Sequence, residues 1–209
     1  MPESLAPESS DSAFTWEQLQ TKINKDLADN LNKDLADNLG NFVNRILKFA
    51  ASRFDRKIPS GGTLGESEQR LEANCKELMD TIRTYLHNLE FRKAADTLCT
   101  LWTVGNQYLD EQAPWGLFKE NPERAGVVIR TCINLIRVYA IASNPFIPFT
   151  AQTLFDALHL SESEPSSSFA SAVDFSVLQP NRAFDVSPPL FQKLDDEQVS
   201  ELRSRFGGE

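Results

Sequence analysis

Cysteine and histidine are scarce in this 209-residue chain, and several kinds of chemistry go with them. Cys75, Cys99 and Cys132 stand 24 and 33 residues apart, without the close pair that a zinc knuckle or a disulfide framework needs. Each sits in an apolar helical pattern, where free cysteine behaves as a small buried hydrophobe. His87 and His159 lie 72 positions apart and form no local ligand pair; both fit solvated helix ends, so no metal is expected. No glycine-rich loop follows a strand pattern, since Gly61-Gly62 follows a helical one, and no cofactor is expected either. No apolar run approaches the roughly 18 uncharged residues of a membrane span. The opening residues MPESLAPESSDSAF lack the basic-then-apolar order of a signal peptide. The expectation is a cytoplasmic protein without a membrane partner.

What is present is enough apolar material, 41% of residues, for one core plus a tail, and a net charge of −9. The charge is unevenly spread. Residues 1–20 hold Glu3, Glu8, Asp11 and Glu17 with no base, and residues 161–209 hold nine acids against Arg182, Lys193, Arg203 and Arg205. Residues 21–160 are therefore neutral, with 17 of each sign. Inside that body, residues 41–60 carry Arg45, Lys48, Arg53, Arg56 and Lys57 against Asp55 alone. Such a spot is compatible with a modest RNA footprint and equally with a solvated helix end.

Periodicity organises the rest. Residues 1–14, rich in Pro and Ser, are expected to be a disordered N-terminus. From about Thr15 to Arg53, Leu27, Leu31, Leu35, Leu39, Phe42, Ile46 and Phe49 recur every three or four residues, as one long α-helix requires. The breakers Pro59-Ser60-Gly61-Gly62 end it, and Thr63-Leu64-Gly65-Glu66 reads as a capping box opening a helix to about Asn88. A third helix runs from about Phe91 to Glu111. Gly105 falls inside its apolar rhythm, where close approach of the backbone to a neighbour explains a glycine. Asn121 and Pro122 suit the cap and first position of a helix that is apolar nearly all round and so should be central. After Asn144-Pro145-Phe146-Ile147-Pro148 a last helix covers about Phe149 to Leu158. No stretch before residue 170 alternates with period two for long enough to be a strand. The expected fold is all-α, an antiparallel helix bundle over 15–160, with 161–209 a linker and irregular tail. In that tail Val173, Phe175 and Val177 could make a short edge strand, and Val199, Leu202 and Phe206 a short helix.

Asn24-Lys25-Asp26-Leu27-Ala28-Asp29-Asn30-Leu31 recurs unchanged as Asn32-Lys33-Asp34-Leu35-Ala36-Asp37-Asn38-Leu39. On an α-helix eight residues advance about 12 Å and turn the chain about 80° beyond two full turns. A repeat array needs longer and more numerous units, so this reads as a tandem duplication that displaces what precedes it.

The stretch from Lys33 through Asn38, Gly40 and Phe42 to Arg45 resembles the opening helix of the anticodon-binding domain of methionyl-tRNA synthetases. Asn106-Gln107-Tyr108-Leu109-Asp110-Glu111-Gln112-Ala113-Pro114-Trp115 resembles that family's second signature and Asn144-Pro145-Phe146-Ile147-Pro148 its third. The resemblance extends from about Asn24 into the tail, where it includes Pro189-Leu190-Phe191. It implies the helical bundle of class I synthetase anticodon-binding domains, reading the CAU anticodon of methionine tRNA. Trp115, after Pro114, would stack on an anticodon base and Asn38 would hydrogen-bond along a base edge. Phe42 stands where some members carry arginine, and Arg45, about two turns after Asn38, would supply the charge. The family's His-x-Gly-His and Lys-Met-Ser-Lys-Ser elements are missing from these residues, so no aminoacyl adenylate is expected from this chain alone. Once the family's tail partner is lacking, much of 161–209 is expected to be loosely held. Two other readings stay open: a partner subunit for a separately encoded catalytic chain, and a helical interaction protein that has lost RNA binding.

Overall fold

The apolar stripes become helices in the computed structural model, which describes residues 31–160, 169–191, 201 and 204–205. A π-helical segment, Leu31–Gly40, runs into α1 (Asn41–Arg53). There follow α2 (Glu66–His87), α3 (Phe91–Gln112), α4 (Pro114–Glu120), α5 (Pro122–Ser143), α6 (Pro148–Ala157) and the single turn α7 (Phe169–Ala172). Among the described residues there is no strand, and the protein is the all-α bundle that the periodicity predicts. All but the last residue of the first octapeptide copy, the N-terminus and most of the last predicted helix lie outside the described residues.

Within the described residues, the long first helix is α from Asn41. Over Leu31–Gly40 the turn is wider, and tertiary contacts hold it. Leu39 is fully buried, the Asn38 amide is clamped onto α3, and at Gly40 an added Cβ would sit 3.2 Å from the Leu35 carbonyl oxygen. The second helix also starts later than Thr63, at Glu66, because the carboxylate that closes its first turn belongs to Glu68. The Gly65 backbone N–H donates to it at 2.8 Å.

α5 is the axis of the bundle. As predicted, Asn121 caps it by accepting from the Arg124 N–H at 3.0 Å, and Pro122 takes the first turn. Its length and composition match those of a membrane span, which a search for uncharged runs does not reveal, but 94% of its most apolar window is buried inside the protein. Gly105 is where α3 meets it. A Cβ there would lie 1.8 Å from the Tyr139 hydroxyl, which instead donates to the Leu101 carbonyl at 3.1 Å. Gly61, at φ +76°, makes the other close approach, with no room for a Cβ against the Glu123 carbonyl.

The tail departs most from expectation. Residues 172–184 are docked, not loose: Ala172, Val173, Phe175, Leu178 and Phe184 are buried. Asn134 on α5 accepts from the Leu178 N–H at 2.8 Å and donates to its carbonyl at 3.3 Å, while Arg137 donates to Ala172 O at 2.8 Å. Ile58 donates to Arg182 O and accepts from the Asn181 N–H, both at 2.9 Å, which joins the tail to the loop after α1. The alternation at Val173 and Phe175 is not a strand, because Asp174 turns the chain by accepting from the Ser176 N–H and hydroxyl at 2.7 and 2.6 Å. His159 is an exposed helix-end residue, as read, and pairs with Asp185 at 2.8 Å.

Candidate nucleic-acid interface

Arg45, Phe49 and Arg53 recur every fourth residue along α1 and so share one face. The turn from α3 into α4 brings two aromatic rings to that face. Pro114 disfavours a right-handed helical conformation in the residue before it, and Ala113 takes the left-handed one, φ 39° and ψ 57°. Pro114 then opens α4 with Trp115 and Phe118 one turn apart.

Trp115 meets the Phe49 ring edge-on at 5.0 Å and Phe118 meets it at 5.8 Å. Phe54 closes the cluster 5.4 Å from Phe118. Each α4 ring carries a cation: the Arg45 guanidinium is 4.9 Å from the Trp115 centroid and that of Arg53 is 5.6 Å from Phe118. Both rings are half-buried under exposed arginines, with Lys48 exposed one turn after Arg45 on α1. Asp110 on α3 reaches Arg45 at 3.7 Å, across two largely exposed side chains where an ion pair contributes little.

Of the residues singled out in the sequence, Arg45 and Trp115 are brought together. Phe42 is not at the surface. It is fully buried with its ring 5.3 Å from Tyr139, so the position is part of the core and offers a base nothing. Pro114 is buried and acts by setting the turn. Asn38 is engaged: it donates to Thr103 Oγ1 at 3.0 Å, and its own Oδ1 accepts from Asn106 Nδ2 at 2.6 Å. Asn41, exposed one turn before Arg45, has among the described residues a 3.5 Å side-chain contact to Asp37 and is an amide available on this face. Its i, i+4 spacing to Arg45 was the signal that could have found it.

Behind the turn lies a buried ion pair. Glu68 is fully buried and accepts from both Arg124 nitrogens at 2.8 Å and from the Tyr108 hydroxyl. Burial would raise its pKa, but hydrogen bonds from Arg124, Tyr108 and the Gly65 amide, together with the Arg124 charge, outweigh that and hold it at about 2. The same Arg124 donates at 2.7 Å to Gln112, the last residue of α3. The network thus fixes the point from which the Trp115 turn departs.

This backbone is shared with solved aminoacyl-tRNA synthetases. It matches Mycobacterium tuberculosis methionyl-tRNA synthetase in its free state with a TM-score of 0.71 at 22% identity, over 87% of this chain and 35% of that one. With methionyl-adenylate bound, the same enzyme gives 0.72 at 23% identity, over 80% and 33%. The chain belongs to the family described as the anticodon binding domain of methionyl tRNA ligase, whose pattern matches residues 58–209. Among its relatives, Methionine--tRNA ligase 1 of Acaryochloris marina is 56% identical over 204 residues, 98% of this chain and 35% of the relative. The Methionine--tRNA ligase of a Ruegeria species is 44% identical over 205 residues, 98% and 34%. The chain spans about a third of the length of these relatives.

Proposed function

We propose that the Arg45–Trp115 face binds the anticodon loop of methionine tRNA and reads CAU, as the anticodon-binding part of a cytoplasmic methionine-tRNA ligase. The observation that carries this is Trp115, a half-buried indole under an exposed arginine, within the stretch matched by a family named for anticodon binding. An unpaired base offers a π face to such a ring, a contact of roughly 1 to 3 kcal/mol. An exposed cation over the ring contributes only about 0.5 to 1 kcal/mol, so exchanging Arg45 for a base is favourable. The displaced guanidinium then meets a phosphate or a base edge, and the exposed Asn41 amide donates and accepts beside it. Asn38 supports this face by holding the π-helical segment on α3.

The relatives carry this region within one longer chain, which favours a domain of a complete ligase over a subunit of a separately encoded catalytic partner. Aminoacylation is assigned to the remainder of such a ligase, and no step of it is placed on these residues.

The test is Trp115→Ala. Binding to methionine tRNA should fall between about fivefold and a hundredfold or more, while the thermal midpoint barely moves. Truncating a fully packed tryptophan would instead cost about 3 to 5 kcal/mol of stability. Lost stability with unchanged affinity would make Trp115 a packing residue and remove the reading.

A further inference from the structure

The arrangement at Trp115 occurs twice. Arg53 lies eight residues, about two turns, after Arg45, and Phe118 lies one turn after Trp115. Phe49, four residues from each arginine, presents its ring to both α4 aromatics, so the two arginine-capped rings sit side by side on one support. An aromatic that served only packing would be covered by apolar side chains. Phe118 is instead part exposed beneath a charged side chain for which, among the described residues, no carboxylate lies within ion-pairing distance.

We infer that Phe118 is a second stacking platform, taking an unpaired base that flanks the anticodon while Arg53 moves from the ring to the adjoining phosphate. This rests on the reading of Trp115 as the anticodon platform and adds to it a contact outside the triplet. Two neighbouring rings suit two neighbouring bases, since stacking accepts any base and a splayed loop presents its bases in succession. Arg53, with no such partner to give up, is free to follow the backbone. The footprint on the loop is then wider than the three anticodon bases.

The test uses the whole chain and an RNA hairpin copying the anticodon stem and loop of methionine tRNA, with 2-aminopurine placed in turn at each loop position next to CAU. Wild type, Trp115→Ala, Phe118→Leu and Phe118→Tyr are titrated at one low salt concentration. Leucine keeps the apolar filling beside Phe49 and Phe54 but lacks a π face, and tyrosine restores it. The expected result is a Phe118→Leu loss of about fivefold or more, with the fluorescence change at one flanking position abolished and both restored by Phe118→Tyr. Trp115→Ala should weaken binding yet keep that flanking signal at saturation. If Phe118→Leu binds like wild type while Trp115→Ala is weakened, the second platform is overturned and the anticodon reading stands. If wild type does not bind the hairpin, or Trp115→Ala binds as well as wild type, the anticodon reading falls and the platform with it.

Discussion

Glu68 shows how a single buried charge can govern this molecule. It is fully enclosed, so replacing Arg124 would leave a carboxylate without its partner, a change that typically costs about 3 to 5 kcal/mol. Its pKa is lowered from 4.5 to about 2 in the folded protein. The folded state therefore binds that proton less readily than the unfolded chain does. The resulting stabilisation, about 3 kcal/mol, is fully present above pH 4.5 and is lost as the pH falls towards 2. Urea unfolding of wild type and Glu68→Gln at pH 2.5 and pH 6 should show the wild-type advantage shrinking at the acid end. An advantage that stays constant between those pH values would show that the pair does not titrate as described. Residue-scale reading of the sequence succeeded where sterics dominate, as at Gly105, because only a missing side chain admits Tyr139. It is silent on Glu68, because its partners lie 40 and 56 positions away.

At the scale of elements, the helices were legible because each keeps a 3.6-residue stripe, and α5 because its stripe goes all the way round. The tail was not. Its docking depends on Asn134, a buried polar residue on the central helix, whose amide matches both backbone groups of Leu178. No local pattern announces a contact between residues 44 positions apart. Asn134→Ala should leave the Leu178 N–H and carbonyl buried without partners, at a cost of roughly 1 to 3 kcal/mol. Limited proteolysis should then cut residues 169–191 faster than in wild type while α2 to α6 remain resistant. Equal cutting rates would mean that Val173, Phe175, Leu178 and Phe184 hold the tail unaided. The π-helical segment was illegible for a related reason. Leucine every fourth residue suits an α stripe, and the wider turn comes from contacts with α3 that the segment itself does not encode.

For the molecule as a whole, net charge misleads and its distribution informs. The chain carries −9 overall, yet Arg45 and Arg53 share the face proposed for RNA and Lys48 is exposed one turn after Arg45. Binding driven by those cations should weaken with salt, and each phosphate contact to a single-stranded loop contributes about 0.7 to the log–log slope. Lys48→Ala should lower that slope by about this amount, whereas Trp115→Ala should weaken affinity without changing it. A slope unaltered by Lys48→Ala would place the phosphates elsewhere. The candidate face was half visible beforehand. Arg45 and Trp115 were named from motifs, Phe42 and Pro114 from the same motifs are buried, and Arg53 and Phe118 emerge only from the register of two helices.

The burial of α5 bears on how the chain is made. Its cover comes from both sides of the sequence: α1 to α3 precede it, but Val173 to Phe184 are synthesised after it. At roughly 5 to 20 residues per second the covering tail emerges from the ribosome seconds later. For that interval a helix apolar enough to pass for a membrane span has one flank open. A message truncated just beyond α6 would leave that flank open permanently, producing a chain that chaperones retain and that clumps in their absence.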